Sequence, residues 1–266
     1  MTNDIITIRA SSLGALFDCP ARWAAIHIDG RYLPSNAKAT LGKAVHASTA
    51  VYDRAPLEGG AVSIDESAAA AIDTIHRPDE EVLWEDSSPL ETEKIALSLH
   101  TKYCTNIAPH QQYRAVEVQC EKLEISDIGI ALTGTTDRIR ETDDGLGIVD
   151  IKTGKTAVGS DGTVKTGGHA YQMGVYELLA QAASGVPITA PAQIVGLNTA
   201  KTDAAQRVGC GSIIGARDVL VGDGEAPGIL ESAASLIHSG NFWGNPKSMM
   251  CHKSYCPNFG SCKYRM

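Results

Sequence analysis

Aromatic residues are scarce in this sequence of 266 residues, at 5%. No apolar run approaches the roughly 20 residues that span a bilayer as a helix, so no membrane association is expected. The opening stretch MTNDIITIRASSL has neither a basic region nor an apolar core. It therefore lacks the marks of a secretory signal, and a cytoplasmic location is expected. No G-x-x-x-x-G-K-S/T phosphate loop occurs, so the chain carries no nucleotide-driven motor of that kind. Internal repeats are absent, and the alanine cluster at 68–71 is the nearest thing to low complexity. Positive charge is short as well: 23 Lys and Arg stand against 31 Asp and Glu, for a net charge of −8. That balance argues against a broad electrostatic grip on nucleic acid but permits a local basic groove.

What is present suffices for a folded enzyme-sized domain. Apolar residues make up 43% and charged residues 20%, a composition that buries a real core. The length fits one domain over 1–266. Its first part, 1–110, reads as mainly helical, with segments at 11–28 (Ser11 or Ser12 as N-cap, interrupted at Pro20), 38–53, 65–76 and 89–105. The pattern then changes to strand-like stretches at 113–125, at 128–141 with alternation at Ile128, Ile130 and Leu132, and at 146–152, with Asp-Asp-Gly at 143–145 as a turn signal. These are expected to form an antiparallel meander. A polar loop over 156–168 reads equally as a lid or an exposed linker. A helix follows from about 169, then an apolar strand in AQIVGLNTA, a pairing partner in AQRVGC and a last helix at about 228–238. The region 111–210 thus supplies a sheet and a helix, and 245–266 is a cysteine-rich tail.

The stretch GIVDIKTGK at 147–155 raises the chemical question. Ile148, Val149 and Ile151 suit a strand, where residues i and i+2 share a face. Asp150 and Lys152 then project together near the strand's end. Asp137 lies thirteen residues earlier near the end of another expected strand, so a hairpin brings both carboxylates to one point. Hard divalent cations take such oxygen ligands, and a bound cation generates hydroxide and steadies a phosphodiester's developing charge. A lysine beside them neutralises charge or orients water. The alternative is an incidental surface ion pair, because Asp-x-Lys is a common tripeptide. In the helix from 169, Gln172 and Tyr176 stand at i, i+4 and offer uncharged donors. In LGKAVH, Gly42 permits close backbone approach and His46, one turn on, carries a ligand-capable imidazole.

Taken in order, LGKAVH, GTTDRI, VDIKTGK and YQMGVY resemble the motifs of the RecB-like branch of the PD-(D/E)XK nuclease superfamily. The resemblance implies an α/β restriction-endonuclease-like core, a central mixed sheet flanked by helices. It implies a Mg²⁺- or Mn²⁺-dependent deoxyribonuclease, with His46, Asp137, Asp150 and the main-chain carbonyl of Ile151 as metal ligands. Lys152 becomes the catalytic lysine, Gln172 and Tyr176 meet the substrate, and Glu117 matches an acidic position on the preceding strand. Glu117 also fits a solvated strand face with Gln119 and Glu121. The implied substrate is DNA, single-stranded or with a free end, cut exonucleolytically in recombination, repair or the processing of phage and mobile elements. Without a motor of its own, the chain acts alone or with a helicase or recombination partner. The rival reading is a non-catalytic DNA-end binding or assembly module on the same fold.

Seven cysteines in a cytosolic chain are not expected to form a disulfide framework. Cys251, Cys256 and Cys262 cluster in the tail, and Cys19 stands far away in LFDCPARW. Four thiolates hold an Fe–S cluster or a zinc ion, and such a clip would join the two termini. The resemblance extends to this set. It is similar to the AddB-type nuclease subunits and the CRISPR-adaptation exonucleases, which implies a 4Fe–4S cluster, with zinc as the alternative. The gap between Cys251 and Cys256 is four residues where the family has two, and His252 and Cys104 stand as alternative ligands. Cys104, Cys120 and Cys210 are expected to be buried.

Overall fold

A computed structural model describes residues 5–222 and 225–265, and a six-stranded mixed sheet runs through it. In chain order the elements are β1 (Ile6–Arg9), α1 (Leu13–Asp18), α2 (Pro20–His27), β2 (Ser35–Asn36), α3 (Ala37–Leu57), α4 (Ile64–His76), β3 (Val82–Leu83) and α5 (Pro89–Asn106). Then follow β4 (Tyr113–Ile125), β5 (Ile130–Thr142), β6 (Gly145–Thr153), α6 (Ala170–Ser184), β7 (Ala192–Leu197), β8 (Val208–Ile213), α7 (Ala216–Val221) and α8 (Ile229–Ser239). β2 and β3 form a separate two-residue pairing.

Local chemistry sets most boundaries. Ser63 with Glu66, and Ser88 with Glu91, form reciprocal capping boxes at α4 and α5. Asn36 caps α3 by accepting from Lys38 and Ala39. Pro20 does not kink a helix; it opens α2 after a break at Cys19, whose backbone is extended. Ser12 departs from expectation. It stands before α1 in a 3₁₀ turn, its hydroxyl donates to the Arg9 carbonyl, and it accepts from the Trp23 indole instead of capping.

The meander β4–β5–β6 is antiparallel as expected, β7 joins β6 in parallel, and β8 pairs antiparallel with β7. β1 was not legible; four residues carry too little alternation, and its partner is parallel and distant, Ile6 opposite Ile130. The sheet is covered on both faces. Ile148 and Ile194 belong to the core shared with α1, α2, α6 and α8, whereas Val149, Ile151, Val195 and Leu197 belong to the core under α3, α4 and α5. Successive residues of β6 thus alternate between two cores, which is why its sequence is almost continuously apolar.

The 156–168 loop is neither lid nor free linker. A bridge joins Val158 to Val164, and both side chains are buried against Gly196 of β7 and Gly209 of β8. A Cβ on Gly196 would sit 3.0 Å from the Ala157 carbonyl and from Val158, so the glycine is what admits the loop. Cys210 is exposed on edge strand β8, against the expectation of burial, because the edge leaves that face open. Cys104 and Cys120 are buried.

One polar group lies deep between layers. Arg138 of β5 is fully buried; its Nε donates to Asp53 Oδ2 at 2.7 Å, and a terminal nitrogen donates to Thr49 Oγ1 at 3.2 Å, both on α3. The Tyr103 hydroxyl of α5 donates to the same Asp53 oxygen at 2.6 Å. Burial lifts the Asp53 carboxyl above its ordinary value despite Arg138 beside it. Such a pair fixes the position of α3 on the sheet more than it stabilises the fold. Asp53→Ala leaves the Arg138 charge unpaired and should cost about 3–5 kcal/mol. Asp53→Leu combined with Arg138→Met should cost clearly less, as read by urea denaturation of both variants.

Glu177 of α6 is buried beside α7, and burial pushes its carboxyl up to about 6, against the opposing charge of Arg217. A folded-state value above the ordinary 4.5 means that the protonated form suits the fold. Its stabilisation is present below about pH 4.5 and is lost as pH rises through about 6. Glu177→Gln should therefore raise the melting temperature at about pH 7.5 and leave it unchanged near pH 4.5, in paired thermal melts.

Candidate active site

The site forms where two strands part. The β5–β6 ladder ends at Arg138 opposite Val149, and β6 continues on β7, from Val149 opposite Gln193 to Thr153 opposite Leu197. In the resulting fork the N–H of Ile151 donates to Asp137 Oδ2 at 2.7 Å. His46 Nδ1, from α3, stands 3.4 Å from that same oxygen. Asp150 is almost fully buried and faces α6, where Gln172 Nε2 donates to its Oδ1 at 3.3 Å. Gln172 also donates to the Tyr176 hydroxyl at 3.0 Å. The Lys152 ammonium lies 2.7 Å from Asp150 Oδ2, and its charge and hydrogen bond favour the ionised carboxylate.

His46, Asp137, Asp150, Lys152, Gln172 and Tyr176 are thus brought together from four elements. Glu117 is not drawn in. It lies opposite Asp137 between the pairs Val116–Arg138 and Val118–Thr136, yet its backbone is left-handed, φ 50°, alone among described non-glycine residues. Its carboxylate stands 3.8 Å from Arg54 on the exposed side. Ile151 meets the site through its N–H, its side chain being packed in the α3–α5 core. His169 sits at the start of α6, and burial and the nearby Lys152 charge both lower its pKa.

The electrostatics follow from the packing. Burial alone would lift Asp137, but His46 and the Ile151 N–H outweigh it and hold the carboxyl below its ordinary value. Burial also works against a charged His46, and the Asp137 carboxylate more than compensates, so His46 is raised. Asp150 is pushed up to about 6, first by burial and then by the Asp137 charge, with Lys152 pulling the other way. Two carboxylates share a fork, one held ionised and one reluctant, a polarity typical of reactive sites.

Among the described residues, no group of three or more His, Cys, Asp or Glu side chains is arranged to hold a metal ion as it stands. The feature that fits a cation is the chemistry of the donor set, two carboxylates and an imidazole in one fork, which suits Mg²⁺ or Mn²⁺. The sequence reading missed the supporting Arg138–Asp53–Tyr103 network. Its one signal was a second charged residue, Arg138, directly after Asp137 in an otherwise half-buried strand.

Cys19, Cys251, Cys256 and Cys262 line a common cavity with Pro246 and Phe259. The Asn245 N–H donates to Cys19 Sγ at 3.4 Å. Burial raises the Cys256 thiol, the Asn258 N–H opposes that rise, and Cys19 and Cys262 add to it. The two alternative ligands stand elsewhere. Cys104 packs beside His100 under α3, and the His252 ring accepts from the Ser254 N–H.

A mixed sheet clad by helices, with carboxylates and a lysine gathered at a strand fork, is the architecture of a nuclease core. A sequence model of the PD-(D/E)XK nuclease superfamily matches residues 8–264, and the chain belongs to that superfamily. In fold it is similar to a crystal structure described as "Putative exonuclease" from Eubacterium rectale, with a TM-score of 0.52 at 12% identity over 89% of this chain and 80% of that one. A second match, SSO0001, has a TM-score of 0.35 at 13% identity over 95% and 97% of the two chains. At 12% identity the likeness to the first of these is one of fold alone. No curated protein matches the chain. Among the described residues, no helix is long and apolar enough to cross a membrane.

Gly134 ties β5 to the site. A Cβ there would stand 2.8 Å from Tyr176 Cε1. Gly134→Ala should therefore cost about 1–3 kcal/mol by overpacking. In a Tyr176→Ala background, where only Ala10 at 3.3 Å still crowds the added methyl, the same change should cost clearly less, which a double-mutant cycle in urea measures.

Proposed function

We propose that the chain is a Mg²⁺- or Mn²⁺-dependent deoxyribonuclease that removes nucleotides from single-stranded DNA ends. The observation that carries the reading is the pair of carboxylates, Asp137 and Asp150, held in one fork beside His46 and Lys152. Keeping two like charges together in a buried fork is costly, and a cation offsets that cost. His46, Asp137, Asp150 and the Ile151 carbonyl are the groups that would hold the ion. When bound, it supplies a more acidic water and offsets charge on the phosphate.

The chain's own residues do the rest. Lys152, held 2.7 Å from Asp150, positions the attacking water and answers the negative charge that develops as the phosphodiester is attacked. Gln172 fixes the Asp150 rotamer through Oδ1 and orients Tyr176, so both present polar groups to a phosphate or base. Glu117 enters this scheme only on leaving Arg54. We assign a 4Fe–4S cluster to Cys19, Cys251, Cys256 and Cys262, supported by their shared cavity and the Asn245 N–H aimed at Cys19. A brown anaerobic preparation containing iron supports the cluster, and a colourless one containing zinc replaces it.

The test is cleavage of end-labelled single-stranded DNA with Mn²⁺ by anaerobically purified wild type, Lys152→Ala and Asp150→Ala. Wild type should shorten the strand from an end. Each variant should lose about 10²-fold or more in rate while still binding DNA. Tight binding without cleavage by wild type would overturn the enzyme in favour of a DNA-end binding module.

A further inference from the structure

Two grooves share a wall formed by Ala37, Lys38 and Asp86. One, of about 640 Å³, lies between the start of α3 and the end of β6, and Lys38, Lys155 and Lys201 line it with Thr153 and Gly154. The other, of about 800 Å³, continues from Lys38 and Asp86 to Lys253 and Tyr255 of the tail. Together they make one trough that starts immediately after Lys152. On α3, His46, Gly42 and Lys38 follow at four-residue steps along one stripe, so Lys38 lies about 12 Å from His46. Gly42 is the point where α3 meets β6, since a Cβ there would stand 3.1 Å from Thr153 Oγ1.

We infer that this trough carries the single-stranded DNA beyond the scissile phosphate, with Lys155, Lys201 and Lys38 on its phosphates. This rests on the nuclease reading. Charge complementarity selects the occupant. In a chain of net charge −8, three exposed lysines converge closely enough that all of them act on Asp86. Lys38 pairs with Asp86 at 2.7 Å, Lys201 reaches Glu91 only at 3.8 Å, and Lys155 makes no salt bridge among the described residues. Lys155 is thus free for a phosphate, and Lys201 nearly so. Asp86 holds Lys38 back, and a strand must compete with it. Tyr255, farther along, offers a ring on which a base can stack.

The experiment compares the full chain with Lys155→Ala/Lys201→Ala and with Asp86→Asn, all purified anaerobically. The readout is the ratio of kcat/KM on a strand of about 20 nucleotides to that on a dinucleotide, across a salt series. The double variant should lower this ratio about tenfold and flatten the slope of log KM against log salt by about 0.7 per lysine. Asp86→Asn should move the ratio the other way by freeing Lys38. An unchanged ratio and slope in the double variant, or a lowered ratio in Asp86→Asn, overturns the track while leaving the nuclease intact. If wild type cuts neither substrate, the nuclease reading fails instead. Fluorescence anisotropy on the labelled strand then judges the groove: weaker, less salt-dependent binding by the double variant supports it, and unchanged binding overturns it.

Discussion

The hydrogen bond from the Ile151 N–H to Asp137 Oδ2 is the contact on which the site depends. Once β6 leaves β5 beyond Val149, its backbone donors on that edge lose their strand acceptors. An unmet buried N–H costs about 1–3 kcal/mol. The Asp137 carboxylate replaces the missing strand, so the fork is held open by a side chain that also faces His46. A carboxylate bonded to backbone cannot rotate away without exposing that N–H. Its position is therefore as rigid as the sheet itself, a better basis for chemistry than a loop provides.

The price of this arrangement falls on Asp150. It lies buried within reach of the Asp137 charge, and its neighbours supply one amide hydrogen bond and one ammonium. Burial and like charge together lift it to about 6. A sheet designed only for stability would place an apolar residue there, as it does at Ile148 on the same face. The cost is accepted where a negative carboxylate must stay available, and Lys152 at Oδ2 and Gln172 at Oδ1 hold it in place. Beneath, the Arg138–Asp53 pair joins β5 to α3, so the element that supplies Asp137 and the element that supplies His46 share one buried anchor.

The legible part of the molecule is the part written in short range. Asp150 and Lys152 share a face because a strand has period two, and β-branched Ile148, Val149 and Ile151 announce the strand. Pro89 announces the start of α5 in the same short-range way. What was not legible needs distant partners. Arg138 and Asp53 are 85 residues apart, and neither strand nor helix pattern pairs them. β1 is defined by its contact with β5, not by its own four residues. The 156–168 loop looks polar, and its two buried valines make sense only against glycines on β7 and β8. Cys210 follows the same rule, since its exposure is a property of being on the sheet edge. The left-handed Glu117 had no sequence signal, because glutamate in an alternating strand predicts an extended backbone.

The cysteine tail and the active site look like separate devices, but the packing joins them. Cys19 sits in the break that Pro20 creates between α1 and α2, and the residues on either side hold the tail by ordinary hydrogen bonds. The Asp18 carbonyl accepts from Asn245, the Asp18 carboxylate accepts from Ser248, and the Arg22 Nε donates to the Tyr255 carbonyl. Contacts of about 1 kcal/mol each, one of them solvent-exposed and the others only part-buried, secure a segment without regular structure only weakly. Thiols bound in one cavity would hold it far more firmly, because the ends they join are more than 200 residues apart in the chain. The same tail presents Lys253 and Tyr255 to the groove beside β6. Whatever fixes the four cysteines therefore also fixes one wall of that groove, and the integrity of the cysteine site becomes a condition on how a strand approaches the fork.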